Sequence, residues 1–238
     1  MKIVDFAVIL GTIQIKNNNN IVKMLTKSNG LQSVYLSATT KKKNAKNAVL
    51  QPLSLCQVKY SKNKNSSIPS LNEATIDVPL FNIQMDVFKS TVALFIADFL
   101  TEVLPQDTED NFFDFIKNSI QIFNEIEDGI ANYHLVFLMK TTQWYGIKPS
   151  LKKDFNNYFD LKEGEFLSQK PNHNHYLSIQ ETKIIKRLLL VEWGHIAQIK
   201  LNRKLRRKLL NSIIHYYIFH VPGFKKPKAL TILEEVFD

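Results

Sequence analysis

The apolar residues of this 238-residue chain follow one period up to about residue 80 and another from about residue 83, so no single element type can satisfy both stretches. In the first stretch Ile3–Ile15 is rich in Val and Ile, and the polar run Asn17–Asn20 ends it. Ile21–Thr26 and Leu31–Ser37 flank Asn29-Gly30, a strong hairpin signal because both residues tolerate positive φ. Leu53–Tyr60 alternates Ser54, Cys56, Val58 and Tyr60 against Leu53, Leu55, Gln57 and Lys59, and Ile68–Val78 supplies a last strand. Five short strands with polar turns suit a small barrel, whose closure removes exposed edges. An OB-fold and an SH3-like barrel would both give this pattern.

The second stretch is helical. Phe88, Val92, Phe95, Ile96, Phe99 and Val103 make a core-facing stripe that ends before Pro105, and Leu94 and Leu100 lie off it, so this helix is expected to be buried on several sides. Phe112, Ile116, Ile120, Phe123 and Ile126 repeat the pattern over 110–127. Asp128-Gly129 punctuates, and a third helix is expected over Ile130–Tyr145. Residues 146–176, with Gly146, Pro149, Gly164 and Pro171, read as an irregular insertion. Helices resume over about 178–193, 198–220 and 226–237. The expectation is an α+β multi-domain chain, with a β-barrel domain over 1–80 and an all-α domain over 81–238.

Charge follows the same modules. The first 72 residues hold eleven lysines and one carboxylate, Asp5. Residues 73–130 hold twelve acids against two lysines, and 131–238 hold eighteen bases against nine acids. A small barrel with so few local acids either repels itself in solvent or meets a polyanion. The lysines cluster at Lys41, Lys42, Lys43 and Lys46, and again at Lys59, Lys62 and Lys64. A solvated hairpin tip would look similar, but the second cluster and the missing acids favour phosphate contacts, which mobile lysine charges make without reading bases. About six phosphates neutralised on a single strand would make log affinity fall with log salt at a slope of ~−4. Tyr35 and Tyr60 are the candidate base-stacking platforms.

A second basic element spans Lys200–Lys208. On a helical wheel Lys200, Arg203, Lys204, Arg207 and Lys208 lie opposite the stripe Leu205, Leu209, Ile213, Tyr216 and His220, with Arg206 flanking. Such a face could bind DNA, or an acidic peptide tail if an apolar pocket adjoins it.

Other motifs read as structural. The acids Asp107, Glu109, Asp110 and Asp114 open a helix, where the dipole favours them. Glu192-Trp193-Gly194-His195 has the Glu-x-x-His spacing of di-iron helices but lacks the second copy such sites need. His173-Asn174-His175 has neither cysteine nor a placed carboxylate beside it. The single cysteine, Cys56, can neither close an intramolecular disulfide nor build a zinc site. The seven glycines form no phosphate-cradling loop, and no nucleophile elbow or metalloprotease helix is present. A non-enzymatic chain without cofactor or metal is expected. Met1–Ile15 carries Asp5 in its apolar run and reads as a strand, not a signal peptide, and no uncharged apolar stretch approaches ~18 residues. A soluble cytoplasmic protein is the expectation.

Several segments together resemble the RecO family of recombinational DNA repair proteins, in a form lacking zinc. They are Leu50-Gln51-Pro52-Leu53-Ser54-Leu55 after the basic loop, Ala93-Leu94-Phe95-Ile96-Ala97, and Gly129-Ile130-Ala131-Asn132-Tyr133-His134-Leu135. Gly146-Ile147-Lys148-Pro149, the run Phe159–Phe166, and His215-Tyr216-Tyr217 with His220-Val221-Pro222-Gly223-Phe224 complete the series. The resemblance implies an N-terminal OB-fold followed by a helical domain. It also implies binding of single- and double-stranded DNA, annealing of complementary strands, and help for RecA in replacing single-strand-binding protein (SSB) on gaps, in the cytoplasm at the nucleoid. Implied partners are RecR and the acidic, apolar-ended tail of SSB. Many relatives carry four cysteines near 149–170, where this chain has none, so zinc is not carried over. Two other classes fit the residues alone: an OB-fold RNA-binding factor, and a helical protein-interaction scaffold whose lysines only solubilise.

Overall fold

The computed structural model describes residues 1–15, 20–36, 49–62, 67–103, 110–151 and 157–237. Five strands, β1 (Lys2–Gln14), β2 (Asn20–Thr26), β3 (Gly30–Leu36), β4 (Leu55–Ser61) and β5 (Ser70–Val78), close into a barrel in the order β1-β2-β3-β5-β4. β3 meets β5 in parallel at Tyr35 and Ser70, and the other pairs are antiparallel. That connectivity is the OB-fold, and it resolves the choice that strand periodicity left open.

β1 serves two neighbours because a bulge re-aims it. Lys2–Val8 run against Ser61–Leu55, and Ala7–Gln14 run against Thr26–Asn20, with the register shifting between Ile9 and Gly11. The Asn29-Gly30 hairpin forms with Thr26 opposite Gly30, whose φ of 60° suits a glycine. The Asp5 carboxylate fastens this turn, accepting from the Phe6 N–H at 2.8 Å, the Ser28 N–H and hydroxyl, each at 3.2 Å, and the Asn29 amide at 3.3 Å. The one acid of the lysine-rich segment is therefore buried in local hydrogen bonds.

Inside the barrel pack Ala7, Ile9, Val22, Met24, Val34, Cys56, Val58 and Tyr60. Burial pushes the Cys56 thiol up to about 12, which makes it an inert core residue. Leu53, buried and in the left-handed region at φ 62°, donates its N–H to the Ile9 carbonyl at 2.7 Å. Ser54 N–H closes the turn on Gln51, so the Leu50–Leu55 motif seats the start of β4 beside the β1 bulge.

The chain divides into two compact units, Met1–Glu125 with Pro227–Ala229, and Ile126–Lys226 with Leu230–Asp238. The switch from strands to helices near residue 80 falls inside the first unit. There, α1 (Phe81–Met85), α2 (Val87–Val103) and α3 (Asp110–Glu125) follow the barrel, and α2 packs on β1. α2 buries Val92, Phe95, Ile96, Phe99 and Leu100, as an all-round apolar helix must. Lys89 is buried with it and donates to the Asn124 carbonyl at 2.7 Å, satisfying one of the last acceptors of α3.

The second unit holds α4 (Ile130–Thr141), a three-stranded sheet of β6 (Tyr158–Asp160), β7 (Glu165–Leu167) and β8 (Tyr176–Leu177), then α5 (Ile179–Leu190), α6 (Arg203–His220) and α7 (Leu230–Val236). The third helix ends at Thr141 and tightens into a 3-10 turn over Thr142–Tyr145, stopped by Gly146 at φ 65°. α6 starts at Arg203, not near 198, because the Asn202 side chain caps it by accepting the Leu205 N–H at 2.9 Å. The described part of the insertion carries the three-stranded sheet, which an irregular segment would lack. Asp160, buried in it, accepts from the N–H groups of Lys162 at 2.8 Å and Glu163 at 3.2 Å, and lies 3.0 Å from His173 Nε2.

Candidate nucleic-acid interface

The strand register defines an outer barrel face. Because Val22, Met24, Val34 and Leu36 point into the core, Ile21, Lys23, Ser33 and Tyr35 point out. Cross-strand partners then form two rows over β1, β2 and β3. One is Ile13–Ile21–Tyr35, and the next is Gly11–Lys23–Ser33. Ile13 is 50% exposed, and Ile21 and Tyr35 are half-buried. A side chain added at Gly11 would meet open space, so the glycine leaves a gap beside Lys23. Tyr35 is fixed from behind by its N–H, which donates to the Pro69 carbonyl at 2.7 Å. An aromatic ring and flat apolar side chains beside an ammonium group can stack a base and hold its phosphate.

The same register aligns the strand ends beside this face. Asn20 pairs with Leu36, Tyr35 with Ser70, and Ser70 with Ser61. The described residues that flank 16–19, 37–48 and 63–66 therefore stand side by side along β2, β3, β5 and β4. Lys41, Lys42, Lys43, Lys46 and Lys64 lie outside the described residues. Lys62 follows β4, where its N–H donates to the Met1 carbonyl at 3.1 Å. Among the described residues Lys2, Lys23 and Lys62 meet no carboxylate, whereas Lys27 pairs with Asp114 at 3.2 Å.

Two expected contacts are placed elsewhere. Tyr60 is fully buried in the barrel core and its hydroxyl accepts from the Asn29 amide at 3.1 Å, so its ring cannot stack on a base in the folded protein. Lys59 stands in the row Val4–Lys59–Glu73 on β1, β4 and β5, and pairs with Glu73 at 2.8 Å. That pair is half exposed, so it holds the ammonium only weakly. Lys23, Ile13 and Ile21 were missed, although the hairpin register around Asn29-Gly30 sets Ile21 opposite Tyr35 and Lys23 opposite Ser33.

The second basic element divides into exposed and inward-turned cations. Arg203, Lys204, Arg207 and Lys208 are exposed on the first turns of α6, which carry no acid. Cations at the positive end of a helix dipole cost about 0.3–1 kcal/mol each, so stability does not explain them. Lys200 precedes the helix. Arg206 turns inward, donating to the Asn132 side-chain oxygen at 3.0 Å and the Leu201 carbonyl at 3.1 Å. Lys208 pairs with Glu181, whose carboxyl burial alone would raise. Hydrogen bonds from Lys208 and Ser178 outweigh that and hold it below its usual range. Beside this face Leu210, Leu233 and Phe237 line a cleft rimmed by Arg203, Arg206 and Arg207. His134 forms part of its floor. Burial, aided by Arg206, pulls that imidazole down to about 3, so it is neutral at physiological pH.

The remaining motifs behave as structural groups. His173 bonds Asp160, and His195 lies 3.8 Å from Glu192 within one 3-10 turn. Among the described residues no group of three or more His, Cys, Asp or Glu is placed to hold a metal ion. No helix of the described residues is long and apolar enough to cross a membrane.

Comparison with known proteins covers nearly the whole chain. Residues 1–78 match the family model for the recombination protein O N terminal, and residues 84–229 match the recombination protein O C terminal. The DNA repair protein RecO of Azobacteroides pseudotrichonymphae is 32% identical over 237 residues, 98% of each chain. That of Flavobacterium psychrophilum is 32% identical over 241 residues, the full length of both, and that of Bacteroides fragilis is 31% identical over 236 residues, 97% of each.

Proposed function

The chain belongs to the RecO family of DNA repair proteins, and from that premise we propose that it is a recombination mediator that works by binding, without active-site chemistry. It holds single- and double-stranded DNA, anneals complementary strands, and assists RecA onto SSB-coated gaps in the cytoplasm, at the nucleoid. The observation that carries this is the Ile13–Ile21–Tyr35 row beside Lys23, set among the strand ends that bear the lysine segments. Bases lie on Tyr35 and the isoleucines, while Lys41, Lys42, Lys43, Lys46, Lys62 and Lys64 screen the phosphates. Such screening lowers the repulsion between two strands and leaves base edges free to pair, which is what annealing needs.

The α6 cleft takes the acidic tail of SSB. With about 20 Å³ of free space, its apolar walls suit an apolar end group once Phe237 moves aside, and Arg203 and Arg207 suit carboxylates, for which guanidinium geometry is better matched than an ammonium. RecR is the further partner.

Fluorescence anisotropy with a labelled single strand across a salt series tests the barrel assignment. Binding with a slope near ~−4 supports it. A flat salt response points instead to a scaffold, and preferential competition by RNA of matched sequence points to an RNA-binding factor.

A further inference from the structure

A carboxylate of the chain itself meets an arginine of α6. Glu234, on α7, accepts from Arg207 Nη2 at 3.3 Å and from the Asn211 amide at 2.9 Å. Its neighbour Leu233 is buried, and Phe237, just past the helix, lines the same cleft with its ring 6.1 Å from that of His134. An acid flanked by apolar side chains already occupies the cleft edge, which is the chemistry the cleft would select in a partner peptide.

We propose that α7 with Phe237 is a resident competitor, which an acidic, apolar-ended peptide must displace from Arg207 to bind. This rests on the assignment of the cleft to such a peptide. The geometry suits displacement. The Arg207 side chain is 53% exposed, so the pair sits where water weakens it. Glu234 accepts from a single Arg207 nitrogen, Nη2, a weaker contact than the two-pronged geometry a carboxylate can make with a guanidinium. α7 has seven residues, too few to persist as a helix once its packing is released. The contact therefore raises the threshold for partners: a peptide with acids but no apolar end cannot replace both Glu234 and Phe237.

The test uses the full chain and a labelled peptide of aspartates ending in Phe with a free carboxylate. Glu234→Gln keeps the side-chain shape and the Asn211 contact but loses the charge, and is expected to tighten peptide binding about two- to fivefold. Arg207→Gln is expected to weaken it. Amide hydrogen exchange over 230–237 should quicken when the peptide is bound to the parent chain. If Arg207→Gln weakens binding while Glu234→Gln leaves it unchanged and exchange over 230–237 stays slow, the cleft assignment stands and the competitor is refuted. If neither the parent nor Glu234→Gln binds the peptide, or if Arg207→Gln binds as the parent does, both ideas fail together.

Discussion

The barrel and α6 are both basic, yet they hold their charge by different means. In the barrel the acids near the lysines are few and lie at the margins: Asp5 is buried in the hairpin turn, Glu73 meets Lys59, and Asp77 meets Lys117 of α3. On α6 at least three of the five lysines and arginines have a defined contact within the described residues: Arg206 with Asn132, Arg207 with Glu234, Lys208 with Glu181. The first region carries lysine without arginine, whereas the basic face of residues 200–208 carries three of each. The contrast separates two kinds of recognition. Mobile ammonium groups suit a polymer of repeating phosphates, whereas guanidinium groups with fixed partners suit one ligand in one geometry.

The sharpest way to break this comparison is to ask which aromatic belongs to the ligand and which to the fold. Tyr60→Ala empties a filled core position and should cost about 3–5 kcal/mol of stability, read as a lowered urea midpoint by circular dichroism. DNA binding by the fraction still folded should be intact. If Tyr60→Ala leaves stability unchanged, the ring does not sit in the core.

Acid should distinguish the two units. His134 has an ordinary value of 6.5 in the unfolded chain and about 3 in the fold. A base whose folded value is depressed stabilises the fold above its unfolded value and loses that contribution as pH falls. Between pH 6.5 and 5 the second unit should therefore lose about 2 kcal/mol. The Glu181 contribution begins to fall only near its ordinary 4.5, so the loss between pH 6.5 and 5 is separate from it. Both tryptophans, Trp144 and Trp193, lie in the second unit, so their fluorescence in urea at pH 7 and pH 5 reports it directly. His134→Leu should flatten the difference. Equal midpoints in the parent chain would contradict the assigned burial.

Tyr35→Ala should leave stability nearly unchanged and cost about 1–3 kcal/mol of single-strand affinity, the worth of one stacked base. An unchanged affinity would move the stacking platform off β3. The smallest expected effect is that of Lys23→Gln, which should lower the salt slope by about 0.7, one phosphate contact on a single strand. A slope identical to the parent's would take Lys23 out of the groove.

How far the sequence shows these features depends on how local the causes are. The barrel was readable because the Asn29-Gly30 turn and the alternation along β4 are properties of a few neighbouring residues. Tyr60 was not, because Leu53 and Leu55 are as apolar as Cys56 and Val58, and one strand cannot say which of two apolar faces is inside. The Lys59–Glu73 contact needs the β4–β5 pairing, which carries two register shifts. Arg206 looks like its neighbours on a helical wheel, and its inward turn is set by Asn132, far away in sequence. The start of α6 was missed for a local reason: Asn202 offers a cap, but the basic run continues across it.

The central claim is that the barrel's lysines meet a strand of phosphates. The direct measurement is the salt dependence of single-strand affinity for Lys41, Lys42, Lys43 and Lys46 replaced together by Gln, in a chain whose melting is unchanged. The slope should shrink by about 3, from about −4 toward −1, and annealing should slow with it. A slope and affinity equal to the parent's at low salt would mean that those charges face solvent, and the assignment of the barrel to DNA would be wrong.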